Sequence, residues 1–149
     1  MSLDEIASEL AHLLKAQGYK KQKLNWFRSD DGITIAFTIQ KSYYSSQTWY
    51  YCFGVSINAF HEKDIRSAHS CEIQERFDSA IGGKVLGPRD ILNILKMWEH
   101  RFGTMEKLRS SAVQGKLPRV SSVSAIKYLT SVTNTCQSMV NQGTIQNPD

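Results

Sequence analysis

From Ile33 to Ile57 the apolar residues keep to alternate positions, and that rhythm constrains the backbone more than any other feature of the chain. Ile33, Ile35, Phe37 and Ile39 alternate with Thr34, Ala36, Thr38 and Gln40. Successive side chains of an extended strand point to opposite faces, so the spacing predicts a strand over 33–41 with one apolar side. Trp49, Tyr51, Phe53, Val55 and Ile57 repeat the pattern in a strand predicted over 49–60, opposite Tyr50, Cys52, Gly54, Ser56 and Asn58. Such half-buried strands belong to an antiparallel sheet whose apolar face needs a cover.

The flanking segments supply both neighbours and cover. Residues 24–28, Leu-Asn-Trp-Phe-Arg, suit a short strand, and Asp31-Gly32 suits the hairpin turn that joins it to the next. A fourth strand is predicted over 70–77, with Cys71, Ile73 and Phe77 inward. At the start, Leu3, Ile6, Ala7, Leu10, Leu13 and Leu14 recur as one helical face over 3–17. Ser2 and Glu5 have the spacing of a capping box at its beginning, and Gly18 ends it. After Gly87-Pro88, the stripe Ile91, Leu92, Leu95, Trp98 and Phe102 predicts a second helix closed by Gly103. Shorter helical patterns follow over 104–113 and 122–141, the last using Ile126, Leu129, Val132, Cys136 and Met139. One helix, four strands and three helices make an α+β domain. We expect a four-stranded antiparallel meander with the N-terminal and C-terminal helices packed on it, one domain over 1–143 and a flexible tail over 144–149.

A chain of 149 residues can bury about 68–70% of its unfolded surface and needs no metal or disulfide to fold. No apolar run approaches the 18 residues or so of a membrane-spanning helix. The opening Met1-Ser2-Leu3-Asp4-Glu5 is acidic where a secretory signal would be basic. Cys52, Cys71 and Cys136 are odd in number and lack a C-x-x-C pair, which suits buried free thiols in a reducing cytoplasm. These features place the chain in a cytoplasm of bacterial type. The net charge of +4 is uneven: residues 1–75 hold 8 Lys/Arg and 9 Asp/Glu, residues 76–149 hold 10 and 5. The simplest source of the basic half is a solvated helical surface, since no more than two cations are adjacent.

Chemical motifs are sparse. His61, His69, Cys71 and His100 give one H-x-C pair and no zinc spacing. There is no G-x-S-x-G elbow, and Gly82-Gly83-Lys84 lacks the first glycine and the hydroxyl residue of a phosphate loop, so it reads as a turn. No catalytic residue, metal ligand or cofactor is assigned. Asp30 and Asp31 serve the hairpin turn. Glu75 shares the Ile73/Phe77 face, and an inward carboxylate needs a partner such as Lys41, Arg28 or Arg76.

Three readings of function remain. The reverse face of the sheet carries no charge at Thr34, Ala36, Thr38, Gln40, Tyr50, Cys52, Ser56 and Asn58, which suits either a binding surface or a face covered by a C-terminal helix. With the aromatic loop 42–49, bearing Tyr43 and Trp49, it favours a non-enzymatic module that binds another protein. Nucleic-acid binding is the alternative: Lys20, Lys21, Lys23 and Arg28 lie near Trp26 and Phe27, and Lys41 lies near Tyr43, Tyr44 and Trp49. An enzyme site could also assemble from Gln40, Lys41, Ser42, Glu75 and Arg76 at strand ends. The oligomeric state stays open.

Gly18-Tyr19-Lys20-Lys21, Trp26-Phe27-Arg28, Ile39-Gln40-Lys41-Ser42, Phe53-Gly54-Val55 and Glu75-Arg76 together resemble a bacterial family known as domain of unknown function 4304. The resemblance covers about residues 5–80, more weakly 90–102, with Gln-Lys-Ser its most specific step. Cys52 departs from it, standing where such sequences often carry Asn. The resemblance implies an α+β domain and no particular activity. Small bacterial domains of this sort often act as immunity or antitoxin-like proteins, which by analogy adds weight to protein binding.

Overall fold

The structure, a computed structural model, describes residues 1–45 and 47–131. Helix α1 spans Leu3–Ala16. Ser2 Oγ accepts the Glu5 N–H and Glu5 Oε1 accepts the Ser2 N–H, both at 3.2 Å, so the capping box forms. These bonds hold the Glu5 carboxyl below its usual range. The chain then makes β1 (Lys20–Gln22), β2 (Asn25–Asp30), β3 (Ile33–Lys41), β4 (Trp49–Ile57) and β5 (Ile73–Asp78). A small hairpin follows, β6 (Ala80–Ile81) and β7 (Lys84–Val85), turned by Gly82 and Gly83 at positive φ. Helices α2 (Pro88–Phe102) and α3 (Met105–Val113) come next, then β8 (Val120–Ser121) and a helix, α4, over 123–131.

The main sheet is antiparallel throughout, in the order β1-β2-β3-β4-β5-β8. The α+β meander is therefore present, with six strands rather than four. The added strands are the two edges, three and two residues long. The strand expected over 49–60 stops at Ile57, where Asn58–Phe60 turn into a 3-10 helix. The fourth expected strand starts at Ile73 because Ala68–Ser70 form another. Of the helix expected over 122–141, residues 132–141 lie outside the described residues, as do Cys136 and the expected tail.

The register explains the core. Phe37 pairs with Phe53 and Ile35 with Val55, so the alternating apolar residues of β3 and β4 meet on one face. α1 contributes Ile6, Leu10 and Leu14 to that face, and α2 contributes Ile91, Leu95, Trp98 and Phe102, all buried. An aromatic row runs through it. Trp26 lies 5.6 Å from Phe37, Phe37 5.0 Å from Phe53, Phe53 6.0 Å from Trp98, and Trp98 5.0 Å from Phe102, centroid to centroid. Such pairs add about 0.5–1.5 kcal/mol each beyond the area they bury.

The reverse face is covered as well, by the β4–β5 connection rather than by a C-terminal helix. Ala68, Cys71 and Ile65 pack on Ala36, Cys52, Phe27 and Tyr50. The polar residues beneath are satisfied internally. Thr38 Oγ1 donates to Asn25 Oδ1 (2.7 Å) and accepts the Ala68 N–H (2.9 Å). Thr34 Oγ1 donates to Asn58 Oδ1 at 2.7 Å. Glu72 accepts the Ile57 N–H at 2.9 Å and the Ser56 hydroxyl at 3.2 Å, and His61 Nε2 lies 2.7 Å from its other oxygen. The scarcity of charge on this face thus reflects burial. The centre of the face is not a docking surface.

Gly54 lets the connection approach. A Cβ there would lie 2.8 Å from Cys71 Cβ and Sγ and 3.0 Å from the Ala68 carbonyl oxygen. Gly54→Ala is expected to destabilise the fold by about 1–3 kcal/mol through overpacking. The check is a lower urea midpoint with an unchanged slope; an unmoved midpoint would show that the connection does not press on β4.

Candidate functional site

The eight residues singled out from the sequence fall into three places. Lys41, Ser42 and Tyr43 come together at the β3–β4 turn. This loop closes with the Ser42 N–H donating to the Thr48 carbonyl at 3.0 Å. Ser42 Oγ accepts the Tyr44 N–H at 3.2 Å, which turns the chain outward. Tyr43 and Tyr44 are 98% and 97% exposed, with ring centroids 6.1 Å apart and planes at 64°. Together with Lys41, Ser42, Ser45 and the α1 cap residues Ser2, Leu3 and Asp4, they line a concavity of about 650 Å³.

Gln40 and Arg76 lie on the reverse face, at its uncovered margin. Gln40 pairs with Tyr50, and Arg76 pairs with Cys52, so both border the same two residues. The Arg76 guanidinium lies 4.6 Å from the Tyr50 ring centroid, and the Cys52 thiol donates to Gln40 Oε1 at 3.7 Å. Strand parity sets Lys41 and Glu75 on the opposite, helix-covered side. The five strand-end residues therefore do not form one pocket.

Arg28, Trp49 and Glu75 have structural partners. Trp49 is buried in the main core. Glu75 Oε1 accepts the Trp98 indole N–H at 3.2 Å, so the partner of this carboxylate is a neutral donor on α2 and not Lys41, Arg28 or Arg76. Arg28 donates through Nη1 to the Gln17 carbonyl at 2.8 Å and pairs through Nη2 with Glu99. Its guanidinium also lies 4.9 Å from the Tyr19 ring centroid. A cation at the C-terminal end of α1 complements the helix dipole. Trp26 is fully buried and offers no stacking platform, whereas the half-buried Phe27 lines a surface concavity with Lys20 and Arg28.

The sequence names Tyr44 beside Tyr43 only for the nucleic-acid alternative and leaves it out of the candidate binding residues. The signal was there: two adjacent aromatics among serines in a predicted loop. It also leaves out the Ser56–Glu72–His61 cluster, whose members are far apart in sequence. There the Ser56 hydroxyl donates to Glu72, which spends its proton away from His61, so the three do not compose a serine–histidine relay.

The two described cysteines are free and buried. Burial pushes the Cys52 thiol up to about 11, partly offset by Arg76. Burial, and then the Glu72 charge, push the Cys71 thiol up as well. Thiolate is the reactive form. In the folded protein at pH 8, iodoacetamide is expected to leave both unlabelled, and in urea to label both. Cys52 labelling should rise first as the pH climbs toward 11. Peptide mass mapping reads the outcome, and rapid labelling of Cys71 in the native state would contradict its placement under the connection.

Arg28→Ala removes the Gln17, Glu99 and Tyr19 contacts at once and is expected to cost about 1–3 kcal/mol. A double-variant cycle with Glu99→Ala isolates the ion pair, and a coupling of zero would show that Arg28 acts through Gln17 and Tyr19 alone.

The family model described as Domain of unknown function (DUF4304) matches residues 10–118, from the middle of α1 to the segment before β8. No curated protein and no solved structure matches the chain.

Proposed function

The chain belongs to the family described as Domain of unknown function (DUF4304), and on that premise we propose that it is a non-enzymatic module that binds another protein through the Tyr43–Tyr44 loop. The observation that carries this reading is the near-complete exposure of both rings. By contrast, every tyrosine and phenylalanine of the β-strands is at least partly buried. Tyrosine offers a large amphipathic contact area at low entropic cost and is enriched at binding hot spots. The beginning of α1 backs the loop, so the rings stand beside a held concavity.

The local charge supports a protein partner. Lys41 and Asp4 line the concavity together and offset one another. A phosphate-driven partner would favour an excess of cations. Immunity or antitoxin-like neutralisation is one form such a module takes, and it requires a stoichiometric complex. No helix of the described residues is long and apolar enough to cross a membrane.

The test is affinity capture from the native host with quantitative mass spectrometry, using the wild type and Tyr43→Ala/Tyr44→Ala. The exposed positions predict a stability change within about 0.5 kcal/mol, checked by thermal melting. We expect a stoichiometric protein on the wild type and at least tenfold less on the double variant. Equal recovery on both, or no stoichiometric protein on the wild type, overturns the reading.

A further inference from the structure

α2 and α3 meet at Gly103 and enclose a second concavity, of about 690 Å³. His100, Arg101, Lys107 and Lys116 line it, and Glu106 is the one carboxylate among its lining residues. Neither Arg101, Lys107 nor Lys116 has a carboxylate within 4.0 Å among the described residues. The acids of α2 are committed elsewhere: Asp90 Oδ2 accepts the Gly87 N–H at 2.9 Å, and Glu99 pairs with Arg28. Arg89, Lys96 and His100, at helical spacings of seven and four, continue the basic surface along the exposed side of α2.

Helix stability does not account for all of these cations. His100 and Arg101 in the last turn of α2 complement its dipole. Lys107 sits in the first turn of α3, where a cation opposes the dipole. The first amides of α3 are also already bonded, Met105 N–H to Asp31 Oδ2 at 2.9 Å and Lys107 N–H to Thr104 Oγ1 at 3.1 Å. A ligand here is met by side chains.

We propose that the α2–α3 face binds the phosphate backbone of a nucleic acid without reading its sequence. The apolar lining of the concavity is limited to Phe102, which is buried, and the exposed Met97 and Val113 stand outside it, so the concavity itself lacks the anchors that a protein interface places at its centre. From Arg89 to His100 the basic stripe is roughly 16 Å long at 1.5 Å per residue. That length suits a polyanion with many phosphates better than one small anion. No exposed aromatic ring lines the concavity, which favours backbone contact over base stacking. This surface is separate from the tyrosine loop. Asp31, which bonds α3, precedes β3, whereas Tyr43 follows it, and nine strand residues span roughly 27 Å.

The test is fluorescence anisotropy of the full chain with a labelled 20-base-pair DNA duplex between 50 and 200 mM salt. We expect an affinity that falls with salt, with a log–log slope of about −3 for three neutralised phosphates. Arg101→Gln/Lys107→Gln/Lys116→Gln should weaken binding at least tenfold at 50 mM salt with an unchanged melting temperature. Lys20→Gln/Lys21→Gln/Lys23→Gln removes as much charge from the β1 edge and should weaken it less than threefold. Tyr43→Ala/Tyr44→Ala should bind as the wild type does, which separates this proposal from the protein-binding one. Absence of binding at 50 mM salt, equal loss in both charge variants, or displacement by polyglutamate as effective as by unlabelled duplex overturns it.

Discussion

The contact on which the rest depends is Phe53 held between Phe37 and Trp98. Phe37 fixes Phe53 from the neighbouring strand, and Trp98 fixes it from α2. The first contact sets the β3–β4 register, because a slip of one residue would turn every apolar side chain of these strands to the other face. The second decides where α2 lies, and with it the whole helical layer. Trp98 brings a polar atom into this layer, and Glu75 on β5 accepts it. Burial of a large indole and satisfaction of its N–H are thus met by two neighbouring strands of one sheet.

The helices and one sheet face make a core, but they leave the other face of β3 and β4 to be closed. The connection from β4 to β5 does this within fifteen residues, 58–72, using two 3-10 turns and few apolar side chains. It succeeds because the underlying residues are small. Gly54 and Ala36 allow backbone to come close, Thr38 accepts the Ala68 N–H that irregular backbone leaves unpaired, and Ser56 donates to the Glu72 carboxylate. Glu72 gathers the end of β4, Ser56 and His61 around one carboxylate and so ties both ends of the connection together.

The sequence disclosed what depends on local periodicity. The limits of β3, the Asp31-Gly32 turn with both residues at positive φ, the Ser2–Glu5 capping box and the Gly87-Pro88 start of α2 are all local signals, and all appear. The edge strands β1 and β8 were invisible because they are too short to alternate, and they exist through pairing with β2 and β5. The reverse face misled for a physical reason. A surface covered by its own chain and a surface awaiting a partner are both poor in charge, and composition alone cannot separate them. Arg28 misled in the same way: beside Trp26 and Phe27 it reads as part of a basic aromatic patch, yet Glu99, 71 residues away, takes its charge. Of the candidate site, the segment Lys41-Ser42-Tyr43 was legible because an aromatic in a serine-rich loop has nothing local to bury it.

What the fold leaves exposed then sorts by end. Near the β3–β4 turn stand two tyrosines with balanced charge around them; near the β2–β3 turn, α3 and the end of α2 carry cations that have no carboxylate within 4.0 Å among the described residues. The Asp31 bond to the first amide of α3 ties the second end to the sheet. Both surfaces are therefore fixed to the ends of one strand whose middle is locked by the Phe37–Phe53 pair. A ligand at either end meets a frame already formed, and the two chemistries differ: apolar contact area at one, screened Coulomb attraction at the other. Salt distinguishes them, because it weakens the second and leaves the first nearly unchanged. If the tyrosine loop takes a protein and the α2–α3 face a polyanion, neither displaces the other, since the separation between the two surfaces is set by the length of β3 and not by a flexible linker.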